Sequence, residues 1–178
     1  PRVVALGEIG LVEATPREWS VVERQVRLLG ESSVGKPLVF RLPTAADARG
    51  RRAAVEALAR IVDTHGVPPG DVLVQHVDWL TIDAVEKAGF YAGLTTGPLF
   101  LSVDDALRIV MHHDRRRLVA GSALRSGGAD VLALPKLAVA LAEAGIPRPD
   151  IERIVYGNAM RFFVRGAPDS LDSSRGRG

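Results

Sequence analysis

The chain has 178 residues, a net charge of +2 and no cysteine, and 47% of its residues are hydrophobic. This length suits one domain with a core of its own, and the lack of thiols excludes a disulfide framework and thiolate chemistry. No apolar run nears the roughly 18 residues of a membrane span. The segment Val3–Ile9 is too short and wrongly flanked for a signal peptide, so a cytoplasmic protein without a membrane partner is expected.

The charge is carried by arginine, with 20 Arg against 3 Lys. From Arg165 onward the chain holds three Arg and two Asp, which leaves the body near neutral. Arg49, Arg51 and Arg52 cluster, as do Arg115, Arg116 and Arg117, but no aromatic residues interleave with either group. A nucleic-acid footprint needs a broader stripe. Both clusters are read as solvated helix ends, and no nucleic-acid partner is expected.

In chain order, the first apolar run is Val3–Ile9. Thr15-Pro16-Arg17-Glu18 then reads as a helix start, with Thr at the N-cap, Pro first in the helix and Glu third, a capping box. The stripe Trp19, Val22, Val26 and Leu29 gives that helix its core face, and Gly30 closes it. A second run, Pro37–Leu42, leads to a helix carrying Val55, Leu58, Ala59 and Val62. The third run is Val72–His76, and a helix follows from near Thr81, presenting Ile82 and Val85. Asp78 is a candidate cap for that helix. The fourth run, Phe90–Thr95, precedes a Ser102-capped helix with the stripe Val103, Ala106, Leu107, Val110 and Met111. His112 and His113 end that helix, which is read as exposed and where cations favour the dipole; no metal role is expected of them. The fifth run, Leu118–Ser122, is followed by helical stretches at Leu132–Ala144 and Pro149–Phe163. Tyr156, Phe162 and Phe163 are expected to pack the last helix onto the sheet.

Each apolar run is too continuous for a half-exposed strand and suits a parallel strand buried on both faces. Five β-α units in succession imply an α/β fold with a parallel sheet. Residues 1–164 form the expected domain, and 165–178 form a polar, Gly/Ser-rich tail expected to be disordered. A closed (β/α) barrel needs eight strands and about 250 residues. The expectation is therefore an open α/β sheet or an incomplete barrel of the TIM type lacking its first three units. A first residue other than Met suggests processing or trimming. Two free sheet edges predict self-association or a partner chain that covers them.

In a parallel α/β arrangement functional residues gather at the C-terminal ends of the strands. Those ends offer Glu8, Arg41, His76 with Asp78, Thr95 with Thr96, and Ser122 with Arg125. An acid, an imidazole, two guanidinium groups and several hydroxyls are thus expected around one mouth.

At these same positions the sequence resembles the TatD-like metal-dependent hydrolases. The resemblance rests on VALGEIGL at 4–11, KPLVFRLP at 36–43, DVLVQHVDWLT at 71–81 and GFYAGLTTGP at 89–98. GSALRSGGADVLALPK at 121–136 and IVYGNAMRFF at 154–163 complete it. It covers Val3 to Phe163 and implies strands four to eight of a barrel whose mouth holds one or two divalent ions. In such proteins the metal lowers the pKa of water and polarises the scissile bond of a phosphodiester or amide-like substrate.

The resemblance implies ligand positions, and this chain fills few of them. Glu8 stands at the bridging carboxylate and His76 at the strand-six histidine. Arg41 replaces the strand-five histidine, Arg125 falls at the strand-eight aspartate, and the His-x-His pair has no counterpart. Asp78 is a weaker substitute ligand or catalytic group. Arginine cannot ligate a metal and stays charged, so Glu8 is expected to pair with a guanidinium, bidentately where geometry permits. Arg41, Arg125, Ser122 and Gly127 then form a candidate pocket for an anionic small molecule, with the Gly-rich loop supplying backbone N–H groups. The expected function is that of a truncated or degenerate relative binding an anion or a partner. The alternative is an active hydrolase using Zn, Mg or Mn held by Glu8 and His76, with its N-terminal strands missing from this chain.

Overall fold

The computed structural model describes residues 4–32, 35–43, 45–122 and 130–164. Strands β1 (Leu6–Gly10), β2 (Leu38–Arg41), β3 (Val72–Gln75), β4 (Tyr91–Thr96) and β5 (Leu118–Ser122) form one sheet in chain order. All four pairings are parallel. Between them lie α1 (Pro16–Glu31), α2 (Ala48–Thr64), α3 (Ile82–Lys87) and α4 (Val103–His112). After β5 come α5 (Ala133–Glu143), α6 (Arg148–Glu152), a π-helical turn at Arg153–Gly157 and α7 (Asn158–Phe163). This is the expected α/β architecture. Among the described residues β1 pairs only with β2 and β5 only with β4, so the sheet is open. The tail at 165–178 lies outside the described residues.

Local sequence accounts for most of the boundaries. Thr15 caps α1 through the capping box, and Glu18 returns a bond to the Thr15 amide at 2.9 Å. Amides of Val12 and Thr15 hold the Glu18 carboxyl below its usual range. Ser102 caps α4, accepting from the Asp105 amide at 3.0 Å. Asp78 does not cap α3 directly: its carboxylate accepts from the Leu80 amide and the Thr81 hydroxyl, a turn made ahead of the helix.

Alternation along the strands separates two apolar clusters. Leu38, Phe40, Val72, Val74, Leu94 and Leu118 face the helices and join Val22, Val55, Leu58, Val85, Ile109 and Leu137 in the main core. The opposite face presents Val39, Leu73, Tyr91 and Val119, which pack against Phe162 of α7. The Tyr91 and Phe162 ring centroids are 5.1 Å apart, and Phe163 meets Phe162 edge-on at 4.9 Å. Asn158 anchors this closing helix by donating to the carbonyls of Arg115 and Leu118 at 2.9 and 2.7 Å.

Several expectations need correction. Met111 is exposed and Ile109 is buried in its place, while Ala106 and Val110 are buried and Val103 and Leu107 pack against the core as expected. Tyr156, within the π-helical turn, is exposed and does not pack on the sheet. His113 is not exposed, since its side chain packs beneath Glu86 with only 11% of its surface accessible. No helix of the described residues is long and apolar enough to cross a membrane.

Candidate functional site

Arg41 ends β2 and His76 directly follows β3, whereas Glu8 is within β1, two residues before Gly10, which pairs in register with Arg41. Glu8 sits in an irregular stretch where the β1–β2 register shifts between Leu6 and Ile9. Gly7 makes this possible: its φ is +139°, and a Cβ there would lie 2.6 Å from the Val39 carbonyl oxygen. Arg41 closes β2 on the same face as Val39, two residues on. Its side chain crosses Gly10, where a Cβ would come within 2.9 Å of Nε. A side chain at position 10 would therefore displace the guanidinium.

Arg41 Nη1 lies 4.0 Å from Glu8 Oε2, a single contact at the limit of an ion pair. The bidentate pairing expected from the sequence is not formed. Arg41 Nε is buried and has no hydrogen-bond partner among the described residues. The mouth therefore holds a guanidinium with unused donor capacity.

His76 follows β3 with φ +62°, a left-handed conformation unusual for a residue with a side chain. Three contacts hold it. Arg51 Nη2 donates to the His76 carbonyl at 2.6 Å, His76 Nδ1 shares a 2.9 Å hydrogen bond with Thr95 Oγ1, and the Phe100 ring stacks on the imidazole at 4.4 Å. Burial, then the charges of Arg41 and Arg51, lower the His76 pKa from 6.5 to about 4. The imidazole is neutral at physiological pH.

Arg51 also pairs with the Asp78 carboxylate, which the Thr81 hydroxyl approaches at 2.7 Å. Arg51 is thus not a solvated helix-end residue. It turns back from α2 over the β3 tip and ties Asp78 to His76. Arg115 departs from the same expectation, pairing with Asp150 at 3.0 Å. A cleft of about 320 Å³ lies beside His76. Arg51, Asp78 and Thr95 form its polar side, and Leu42, Pro43, Leu99, Phe100 and Leu101 form its apolar wall. Glu8 lines a second cleft, of about 360 Å³, with Thr15, Arg17 and Gln25.

Ser122 ends β5 opposite Thr96, which donates to the Gly121 carbonyl at 3.1 Å. Arg125 and Gly127 lie outside the described residues. Arg51 and Phe100 are not among the candidate site residues of the sequence. Thr95 was legible as a strand-tip hydroxyl, whereas nothing local marks Phe100.

Metal-ligating side chains cluster elsewhere. Among the described residues, Asp83, Glu86 and His113 bring three donor atoms within 4.8 Å of one another. They lie toward the end of the sheet opposite the strand tips, where α3 and α4 finish. Glu86 is already engaged there, by His113 Nδ1 and by the Asp114 amide, each at 2.9 Å. The cluster ties α3 to the turn before β5.

Comparison with known proteins follows this geometry. No family model matches the chain. It is 26% identical over 162 residues to an uncharacterized metal-dependent hydrolase of Methanocaldococcus jannaschii, a match covering 90% of this chain and 61% of that protein. The crystal structure of a TatD-like protein from Archaeoglobus fulgidus superposes with a TM-score of 0.63 at 27% identity, covering 92% of this chain and 61% of that one. A β-aspartyl dipeptidase from Fervidobacterium islandicum shares the fold, with a TM-score of 0.64 at 18% identity over 90% of this chain and 48% of its own. The chain thus spans about three fifths of the length of the curated relative it matches.

Proposed function

We propose that this chain, which resembles the TatD-like metal-dependent hydrolases, is a relative whose strand-tip metal site has largely given way to arginine and whose mouth binds an anionic small molecule. One observation carries the reading: Arg41 stands 4.0 Å from Glu8 with a buried Nε that no described residue satisfies. A buried donor without an acceptor is costly, and an oxyanion supplies acceptors in the fork geometry that guanidinium favours. Glu8, at 42% side-chain exposure, is only loosely held by Arg41 and is free to swing aside when a stronger acceptor arrives.

The residues of the mouth are a poor fit for a divalent ion. Glu8 and His76 supply one oxygen and one nitrogen donor, whereas a catalytic zinc takes three protein ligands and a water. Arg41 adds a permanent positive charge where a cation would sit. Neutral His76 and the Thr95 hydroxyl, 2.9 Å apart, are suited to hydrogen-bond an anionic ligand without adding charge. Ser122, at the end of β5, belongs to the same proposed pocket. A cytoplasmic setting and self-association across the free edges of β1 and β5 complete the reading.

The second reading is an active hydrolase of Zn, Mg or Mn whose remaining strands and ligands come from a region outside this chain. The name of the Methanocaldococcus relative and the three-fifths coverage favour it.

The test of the first reading is calorimetric titration of the chelator-treated protein with inorganic phosphate. Wild type is expected to bind, and Arg41→Gln to lose at least tenfold in affinity while keeping its fold by circular dichroism. Equal binding by the two proteins would remove Arg41 from the proposal.

A further inference from the structure

The cleft beside His76 and the cation at Arg41 differ in chemistry, and the difference constrains the ligand. Within the cleft, Arg51 and Asp78 cancel each other as an ion pair. His76 is neutral, and its Nδ1 is engaged by the Thr95 hydroxyl. The remaining wall is apolar, from Leu42 and Pro43 on one side to Leu99, Phe100 and Leu101 on the other. Its volume of about 320 Å³ falls at the small end of the range for organic ligands. Arg51 Nε is also buried without a partner among the described residues, but with Arg51 paired to Asp78 and His76 neutral the cleft carries no net charge. Its polar groups can assist an anion, whereas the charge that would hold one is that of Arg41.

Arg41 is the complement. It pairs in register with Gln75, the residue before His76, and its charge is felt at the imidazole. Its guanidinium is the one at this mouth, among the described residues, that is both loosely paired and short of an acceptor. Leu99 stands at the cleft wall with 71% of its surface exposed, an apolar side chain in water that a bound ligand would cover.

Resting on the anion-binding reading above, we infer that the mouth takes an organic oxyanion: a phosphate or carboxylate head held at Arg41, carrying an uncharged apolar body that lies in the cleft against Leu99 and Phe100. The apolar wall and the displaced cation thereby recognise two parts of one molecule.

The experiment compares head groups with and without a body. The full chain, in chelator at fixed ionic strength, is titrated calorimetrically with inorganic phosphate, phenyl phosphate, acetate, benzoate and phenol. Phenyl phosphate is expected to bind roughly tenfold more tightly than inorganic phosphate, the gain that partial burial of one ring provides. Benzoate should exceed acetate by a similar factor, and phenol should bind at least tenfold more weakly than phenyl phosphate. Leu99→Ser, at an exposed position that the fold does not depend on, should cut the aromatic gain to about threefold and leave inorganic phosphate unchanged. Equal affinities with and without the ring would overturn the inference while leaving the anion site standing. An undiminished gain in Leu99→Ser would overturn the placement of the body in this cleft, and phenol binding as tightly as phenyl phosphate would overturn the charged head. Failure of every anion to bind would instead sink the anion-binding reading itself.

Discussion

Two guanidinium–carboxylate pairs lie toward the C-terminal ends of β1, β2 and β3 and behave differently. Arg41, at the end of β2, and Glu8, within β1, meet in a single contact at 4.0 Å with side chains 37% and 42% exposed. Arg51 and Asp78, joining α2 to the loop after β3, are in close contact at 22% and 23% exposure. Asp78 is also bonded by Thr81 and Leu80, and Arg51 also holds the His76 carbonyl. The second pair is a structural clamp held from several sides, although Arg51 Nε, like Arg41 Nε, is buried without a partner among the described residues. The first is an open pair near the surface, where such contacts contribute little and exchange partners readily. Composition alone does not separate them: both are one arginine and one acid.

The largest effect that tests this contrast is expected from Asp78→Ala. It leaves Arg51 partly buried without its acceptor and strips the turn before α3, and should destabilise the fold by about 2–3 kcal/mol in urea denaturation. A loss below about 0.5 kcal/mol would place both pairs in the same class.

Acidification probes the imidazole between them. His76 has a folded-state pKa of about 4 against an ordinary 6.5. The unfolded chain therefore takes up the proton first as pH falls. The contribution is complete above about pH 6.5 and is lost as pH falls from 6.5 toward 4. With allowance for solvent reaching the half-buried ring, the loss should be about 1–2 kcal/mol. The sign is the check: His76→Gln should flatten the stability profile across that window.

The smallest effect on stability belongs to Glu8→Gln, within about 0.5 kcal/mol. Its effect on binding runs the other way. Removing the competing carboxylate should raise phosphate affinity at Arg41 several-fold, and unchanged affinity would mean that Glu8 does not compete.

The architecture was legible because its signals are local. The capping box at Thr15 and Glu18, the Ser102 cap and the five apolar runs each depend on residues within a few positions of one another. So were the positions of Arg41 at the end of β2 and His76 just after β3, whereas Glu8 falls within β1. The side-chain partnerships were not. Arg51 reads as one of a solvated arginine cluster because its partners, Asp78 and the His76 carbonyl, are 27 and 25 residues away. Phe100 reads as loop, and only the return of the β4–α4 connection over β3 brings it onto His76. His113 reads as a helix end in water until Glu86, on a neighbouring helix, covers it. Phe162 was expected to pack on the sheet, but that it would cover the face opposite the main core depends on how the π-helical turn swings α7.

The account turns on whether guanidinium has displaced metal at the strand tips. Divalent metal content, measured by inductively coupled plasma mass spectrometry on protein purified without chelator, tests that most directly. The prediction is well under one ion per chain, with Glu8→Gln and His76→Ala indistinguishable from wild type. About one ion per chain, lost in both variants, would contradict it and establish the metal-hydrolase reading.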